Sequence, residues 1–569
     1  MSENKEVIAQ ENEHQTREYG DEEVAPHLHT KTYLVLLSMF LLSFVGVLQL
    51  TASGAYSSVV ASVVGGADKA SWMVAGILLP MVVLAVPVSQ AADYWGRKWF
   101  LIVLNAMGAI GALITSRANS MNMVIAGQVI IGPAFATTAL CFAVVSEVLP
   151  HRHRMSAQAT LSLGNGLGGV AGLTGGASLI QTHGPEGFRI LWYIAAGLFA
   201  LASVICYFCY NPPLRELQST LTLKEKLHSL DWIGGALLGT GLTLLCIAFS
   251  WANNPYPYDT THVLAPLCIS IVLLALFGVY EWKFKTDGMM NHRLFAQDRN
   301  LAVALVGIFL EGLAFVAANN FLAFQVSVLY VTRPILIGVN FSVSWIAYIF
   351  ACIAAAMICY RFKQLKLVAA AGFMFFTIFY ICMATTTLNS NRSVWGFPVF
   401  FGAGLACSLN ALIAAAQFSA PPDLISTTSG LMAASRGVGA TIGTAICISI
   451  FSSRLSTLLP ERIANAVIPL GLPTSSLPDL IHALVAHDME SLADVPGATP
   501  DIIQAAVTGM NSAYLGSFRN VWITAAALSG AGALTALCIK DIKENFNQQI
   551  DAPAESEEAL YGEKVRPAV

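Results

Sequence analysis

The sequence predicts an all-α, polytopic membrane protein with fourteen transmembrane helices. Its 569 residues are 56% hydrophobic and only 11% charged, with a mean hydropathy of +0.64, whereas a soluble domain carries about 25% charged residues. The apolar residues also fall into repeated stretches of roughly 20 residues, the length that crosses a bilayer as a helix. The net charge of −4 reveals no basic excess, so we expect no nucleic-acid partner.

The apolar stretches are mostly joined by short connections, so consecutive helices are expected to run antiparallel. The first seven predicted spans are 33–54, 71–91, 99–116, 122–146, 157–180, 189–210 and 231–251. The other seven are 262–283, 301–324, 336–360, 366–387, 394–416, 425–451 and 519–539. Because the number of spans is even, both chain ends are expected on the same side.

Composition also divides the chain into segments. Both ends are acidic and poor in apolar residues, which predicts disordered tails, and the first lacks the apolar stretch of a cleaved signal peptide. Six prolines interrupt the stretch before the last span, which predicts a long loop with short helices. The predicted segments are a cytoplasmic tail 1–32, a six-helix bundle 33–210, a cytoplasmic linker 211–230, two additional helices 231–283, a second six-helix bundle 284–540 containing the extracellular loop 452–518, and a cytoplasmic tail 541–569.

The distribution of lysine and arginine predicts the orientation. Loops on the side of the N-terminus carry more of these residues than loops on the opposite side, and cytoplasmic loops are enriched in positive charge. We therefore expect a multi-pass protein of the cell membrane with both termini in the cytoplasm. Asn391, in a predicted outer loop, begins the sequence Asn-Arg-Ser, a candidate glycosylation site.

A charged motif connects the second and third spans. Asp93 ends one helix, and Arg97 and Lys98 begin the next, with Gly96 permitting a tight turn between them. Position and pattern resemble the signature loop of the major facilitator superfamily, although Ser89 stands where that family usually has glycine. The resemblance implies two six-helix bundles that rock around a central cavity, and a latch role for these four residues.

Glycines recur along the fifth span and again near the thirteenth. Gly164, Gly168, Gly172 and Gly176 lie every fourth residue on one helical face, which predicts very close helix packing. The spacing of Gly166, Gly168 and Gly172 returns 271 residues later, as expected for two related bundles. Arg436 lies inside this second copy, where a cation needs a carboxylate, carbonyl groups or water. We assign Arg436 and the four glycines to helix packing.

Glu311 is the only acidic residue placed well inside a predicted span, about ten residues or roughly 15 Å from its start. A carboxyl group at this depth is a candidate proton carrier; the alternative is a structural glutamate bonded to a neighbouring helix. Residues one and two turns further along share its face, and other spans carry deep amides. We expect a substrate-binding cavity lined by Gln49, Gln128, Phe315, Asn319 and Asn320.

The whole layout resembles the fourteen-spanner drug:proton antiporters, and within them the fungal trichothecene efflux pump family. The resemblance rests on fourteen spans, the long loop before the last span, and the segments 231–234, 251–258, 290–295 and 436–439. It implies export of a small, largely apolar compound, such as a mycotoxin or drug, by proton antiport. Two alternatives stay open: siderophore-iron uptake by proton symport, and a non-transporting membrane sensor.

Other classes of protein lack support in the sequence. A nucleotide-binding GxxxxGK[ST] motif is missing, and the eleven cysteines have neither disulfide-framework nor zinc-ligand spacing. We therefore expect no enzymatic activity, no cofactor and no metal site. The expected partners are the small-molecule substrate, protons and the lipid bilayer, and we expect a monomer.

Overall fold

The computed structural model describes residues 30–70, 72–212, 222–252, 256–257, 259–285, 288–296, 298–331, 333–486 and 495–540. These ranges are almost entirely helical and contain no β-strand, which confirms the all-α prediction. The predicted tails lie outside the described residues, apart from Thr30–Thr32 at the start of the first helix. Residues 213–221 of the predicted linker 211–230 also lie outside them. Those predictions stay predictions.

Fourteen long helical segments follow the predicted spans. The first seven are α1 (Thr30–Ala55), α2 (Trp72–Trp95), α3 (Arg97–Ser116), α4 (Met121–Ala136 continued as Thr138–Val148), α5 (Arg154–Val170, a π-helical turn Ala171–Gly175, and Gly176–His183), α6 (Phe188–Cys209) and α7 (Trp232–Trp251). The others are α8 (Thr261–Lys283), α9 (Asn300–Leu329), α10 (Pro334–Phe362), α11 (Leu365–Ala384), α12 (Pro398–Phe418), α13 (Ile425–Val467) and α14 (Pro500–Leu537).

Thirteen helices in the described part of the chain are long and apolar enough to cross a membrane. The remaining predicted span, α5, is rich in glycine and polar residues and is interrupted by its π-helical turn. A helix of this composition is stable in a membrane when it packs against other helices, and α5 packs against α1 and α10. The face at which α1 begins and α14 ends is hereafter the inner face, and the opposite one the outer face.

Glycines bring helices into backbone contact at equivalent places in the two bundles. A methyl group on Gly168 of α5 would collide with the carbonyl oxygen of Phe44 on α1. A methyl group on Gly439 of α13 would likewise collide with the carbonyl oxygen of Phe309 on α9. The α1–α5 and α9–α13 crossings are therefore two copies of one arrangement, as the 271-residue repeat predicts.

The predicted outer loop 452–518 is largely helical, which corrects that expectation. The α13 helix continues through Pro460 to Val467, α14 begins at Pro500, and a short helix spans Leu477–Ala486. A proline predicts a break in a helix because it removes one backbone hydrogen bond. Here the burial of apolar side chains outweighs that loss. The buried side chains form a separate small core of Ile463, Val467, Leu472, Leu480, Ala483, Leu484, Val495, Ile502, Ala506 and Met510.

Replacing Gly439 by alanine should destabilise the protein by about 1–3 kcal/mol, because the new methyl group forces α9 and α13 apart. The matched control is Gly278→Ala on α8, where a methyl group meets nothing within 4 Å. Thermal unfolding in detergent compares the two variants. Equal melting temperatures for both variants would contradict the close α9–α13 contact.

Candidate functional site

Glu311 and Arg436 form a bidentate ion pair between α9 and α13. The Arg436 Nε donates to Glu311 Oε2 at 2.6 Å, and Nη2 donates to Oε1 at 3.1 Å. Each residue lies eleven positions after the first residue of its helix, which places the pair roughly 16 Å from the inner ends. The deep carboxylate and the deep cation of the sequence therefore satisfy each other.

The two members of the pair differ in exposure. The side chain of Glu311 is fully buried, whereas 27% of the Arg436 side chain is accessible. The guanidinium carbon of Arg436 also lies 4.8 Å from the ring centre of Phe315, within the range of a cation–π contact. Arg436 and the half-buried Phe315 are thus the accessible part of this site, and Glu311 is its fully buried part.

A glycine beside the pair allows the helices to approach. A methyl group on Gly312 would collide with the backbone carbonyl oxygen of Arg436. With α9 and α13 this close, the short Glu311 side chain reaches the guanidinium with both oxygens. The helix crossing and the ion pair therefore depend on the same contact.

The other predicted cavity residues occupy two environments. Asn319 is half-buried and Asn320 exposed, and the Asn319 amide donates to Asn320 Oδ1 at 3.1 Å. Gln49 and Gln128 are buried, and in the described part of the chain neither side-chain amide has a hydrogen-bond partner. Unpaired buried amides are costly, so these two groups can bind water or a ligand. The structure brings only Phe315 to the ion pair.

Helix α10 supplies polar groups that the sequence analysis missed. Trp345 and Tyr348 are 6% and 0% exposed. The Trp345 indole N–H has no hydrogen bond to the described residues, whereas the Tyr348 hydroxyl lies within reach of Ser162 and Asn165. The Tyr348 ring lies near Asn165 and Arg436. Asn165 stands 271 residues before Arg436, at the equivalent place in the first bundle. The sequence signal that could have identified them is the spacing of Trp345 and Tyr348, two polar aromatic residues three positions apart in an apolar helix.

The predicted latch is a buried network across the two bundles. Asp93 Oδ1 accepts a hydrogen bond from Arg97 at 3.1 Å, and Oδ2 accepts the N–H and the hydroxyl of Thr427 at 2.9 and 2.8 Å. Arg97 also pairs with Glu147 and donates to Ser426. Thr427 lies in the first turn of α13, where free backbone N–H groups favour a carboxylate.

Lys98 and Gly96 have other surroundings. Lys98 donates to the side chain of Asn211, just after α6, and lies 5.4 Å from the ring centre of Tyr207 in α6. Gly96 has a φ of +87°, a backbone conformation that favours glycine, and it forms the turn between α2 and α3. Within the motif, Asp93 and Arg97 therefore contact the second bundle, and Lys98 contacts α6.

A second, uncharged cluster joins the bundles at the inner face. The Gln417 Oε1 accepts hydrogen bonds from Ser146 at 2.6 Å and from Gln158 at 2.9 Å, and Gln417 Nε2 donates to Ser429 at 3.0 Å. Gln417 and Ser429 lie 271 residues after Ser146 and Gln158, respectively, so equivalent residues of the two bundles meet. The amides of Gln158 and Gln417 both donate to the carbonyl oxygen of Phe142.

Two further predictions concern the glycosylation site and the glycine stripe of α5. Asn391 is exposed in the outer connection between α11 and α12, and its glycosylation stays a prediction. The glycine stripe of α5 faces α1 along its whole length. Gly164, Gly168 and Gly172 lie against α1 atoms, and Gly176 lies against Tyr56, the residue that follows α1.

Comparison with known proteins adds relatives along most of the chain. The transporter gkaD of Penicillium citrinum, described as MFS-type, is 24% identical over 529 residues, covering 92% of this chain and 87% of the relative. The trichothecene efflux pump TRI12 of Fusarium sporotrichioides is 21% identical over 473 residues, covering 80% of this chain and 77% of the pump.

Solved structures share the fold. The human organic anion transporter MFSD10 aligns with a TM-score of 0.52 and 13% identity, over 88% of this chain and all of the other. The proton:xylose symporter XylE aligns with the same TM-score and 10% identity, over 88% of this chain and 95% of the other. The sequence profile of the Major Facilitator Superfamily matches residues 34–444. This multi-pass membrane protein therefore belongs to the major facilitator superfamily.

Proposed function

We propose that the protein exports a small, uncharged, largely apolar organic compound in exchange for protons. The observation that carries the proposal is the deep Glu311–Arg436 pair, whose arginine is partly accessible while its glutamate is fully buried. Glu311 is the proton carrier. Phe315, the amides of Gln49 and Gln128, and the Asn319–Asn320 pair provide an aromatic and hydrogen-bonding wall for the substrate.

Antiport follows from the charge of the pair. When Glu311 is ionised, its charge compensates Arg436, and an apolar compound can lie against the pair at little cost. When Glu311 is protonated, the guanidinium is left without its counter-charge, and covering it with an apolar compound is unfavourable. Proton and uncharged substrate therefore compete for the protein, which is the requirement for exchange. An anionic substrate would instead favour the protein with protonated Glu311, because it could pair with Arg436. Such a substrate would be carried in the same direction as the proton.

The inner-face contacts support alternating access between the bundles. Asp93 and Arg97 on one side, and Gln417, Ser426 and Thr427 on the other, close the inner face through buried hydrogen bonds. Opening toward that face requires all of these bonds to break together. We place the protein in the cell membrane with both termini in the cytoplasm, so that the closed face is the cytoplasmic one.

Export rather than uptake is supported by relatives whose names describe efflux, including the Fusarium and Trichoderma trichothecene pumps. The direct experiment is a deletion strain tested in two ways. Sensitivity to secreted toxins or azoles, with intracellular accumulation of the compound, is the result expected for export. Failure to grow on siderophore-bound iron would instead identify uptake, and unchanged transport with altered signalling would identify a sensor.

Glu311→Gln should abolish transport driven by a pH gradient, because the amide cannot carry a proton. Uptake into inverted vesicles, driven by an imposed pH difference, measures the effect. The matched control is Glu461→Gln, at an exposed position of α13 beyond the pair. An unpaired Arg436 can itself destabilise the protein by about 3–5 kcal/mol. The double variant Glu311→Gln/Arg436→Gln therefore tests proton coupling without an uncompensated arginine. Proton-driven transport by either folded variant would contradict the assignment.

Gln417→Ala should shift the protein toward the state that is open at the inner face. The substitution removes the hydrogen bonds that Gln417 makes with Ser146, Gln158 and Ser429. Hydrogen–deuterium exchange should become faster at the inner ends of α4 and α13. The control is Gln504→Ala on the exposed outer part of α14. Unchanged exchange at both inner ends would show that the cluster does not hold the bundles together.

A further inference from the structure

Two buried carboxyl groups meet at the inner ends of the additional helices α7 and α8, away from the Glu311–Arg436 pair. Asp231 is the residue that caps the start of α7, and Glu281 lies in the last turn of α8. They are 3% and 2% exposed. The carboxyl group of Glu281 lies within hydrogen-bonding reach of the Asp231 carboxyl group.

Three of their four carboxyl oxygens already accept backbone hydrogen bonds. Glu281 Oε1 accepts the N–H of Met289 at 3.1 Å, and Oε2 accepts the N–H of Met290 at 2.9 Å. Asp231 Oδ1 accepts the N–H of Gly234 at 2.8 Å. Only Asp231 Oδ2 is left without a donor or acceptor among the described residues. A buried oxygen next to a second carboxyl group is satisfied when a proton lies between them.

The described residues include no cationic side chain that pairs with either carboxyl group. From the segment after α8, His292 contacts only the backbone carbonyl of Glu281, at 3.2 Å. From α2, the nearest group is the uncharged Gln90. Two buried carboxylates in contact without a cation are strongly unfavourable, so the arrangement requires a bound proton.

Two glycines provide the space in which the carboxyl groups meet. A methyl group on Gly234 would collide with Asp231 Oδ2, and one on Gly288 would lie 2.6 Å from Glu281 Oε2. Both contacts are tighter than a side chain allows. Glycine at position 234 thus leaves room for the Asp231 carboxyl group, and glycine at position 288 leaves room for that of Glu281.

We infer that Asp231 and Glu281 form a second proton-binding site, in which the two carboxyl groups share one proton. The site connects to α2 because the backbone N–H of Asp231 donates to Gln90 Oε1 at 3.4 Å. Gln90 lies one turn before Asp93, which holds α13 at the inner face. Proton loss places two buried negative charges together and loosens α7 and α8 from α2.

The test is infrared spectroscopy of the full-length protein in lipid nanodiscs, titrated from mildly acidic to alkaline pH. The wild-type protein should show the carbonyl band of a protonated, buried carboxylic acid that disappears at alkaline pH. Asp231→Asn should lose this band while keeping its fold, because the Asn amide donates permanently to Glu281. The control Asp259→Asn, exposed at the outer end of the same helix pair, should keep the band.

The backbone hydrogen bonds to Glu281 make the two substitutions unequal. In Glu281→Gln the amide nitrogen faces the N–H of Met289 or Met290, so this variant should melt at a lower temperature than Asp231→Asn. A band of wild-type intensity in folded Asp231→Asn would overturn the proposal. If Asp231→Asn does not fold, the double variant Asp231→Asn/Glu281→Gln, which lacks both carboxyl groups, takes its place: a band of undiminished intensity would overturn the proposal, and loss of the band supports the site. Because a protonated Glu311 would absorb in the same region, all proteins in this titration, the wild-type reference included, also carry Glu311→Gln/Arg436→Gln, which makes the result independent of the proposed transport.

Discussion

The compensation of Arg436 by Glu311 is the interaction on which the rest of the account depends. An isolated charge at this depth in a membrane protein is costly, and each residue removes that cost for the other. The pair also binds α9 to α13, whose close crossing depends on Gly312 and Gly439. Because the carboxylate is buried and the guanidinium is partly accessible, protonation of Glu311 changes the charge that a compound bound against Arg436 encounters. The same contact therefore stabilises the fold and links it to proton concentration.

The internal repeat explains how two bundles can close over such a pair. Equivalent glycines make the α1–α5 and α9–α13 crossings rigid, so each bundle can move as a unit. At the inner face, equivalent residues of the two bundles meet in the Gln417 cluster, beside the charged contacts of Asp93 and Arg97. These contacts are numerous, individually modest hydrogen bonds, which a rocking motion can break and remake. The additional helices α7 and α8 contact this region through Gln90.

The sequence predicted the features that depend on composition and spacing along the chain. The long apolar spans, the glycine stripe of α5 and the deep position of Glu311 all follow from local pattern. The partner of Glu311 could not be predicted, because Arg436 is 125 residues away and their meeting depends on the rotation and crossing of two helices. The outer extensions of α13 and α14 were missed for a related reason: Pro460 predicts a break locally, whereas burial of Ile463 and Val467 is a tertiary effect.

Counting the protons exchanged when substrate binds tests the central claim most directly. Calorimetric titration of a transported compound, in buffers of different ionisation enthalpy, gives the number of protons released per compound bound. The account predicts release of up to about one proton by the wild-type protein and none by Glu311→Gln/Arg436→Gln, since an uncharged compound favours the ionised pair. Uptake of protons by the wild-type protein on binding, or equal release by both proteins, would contradict it.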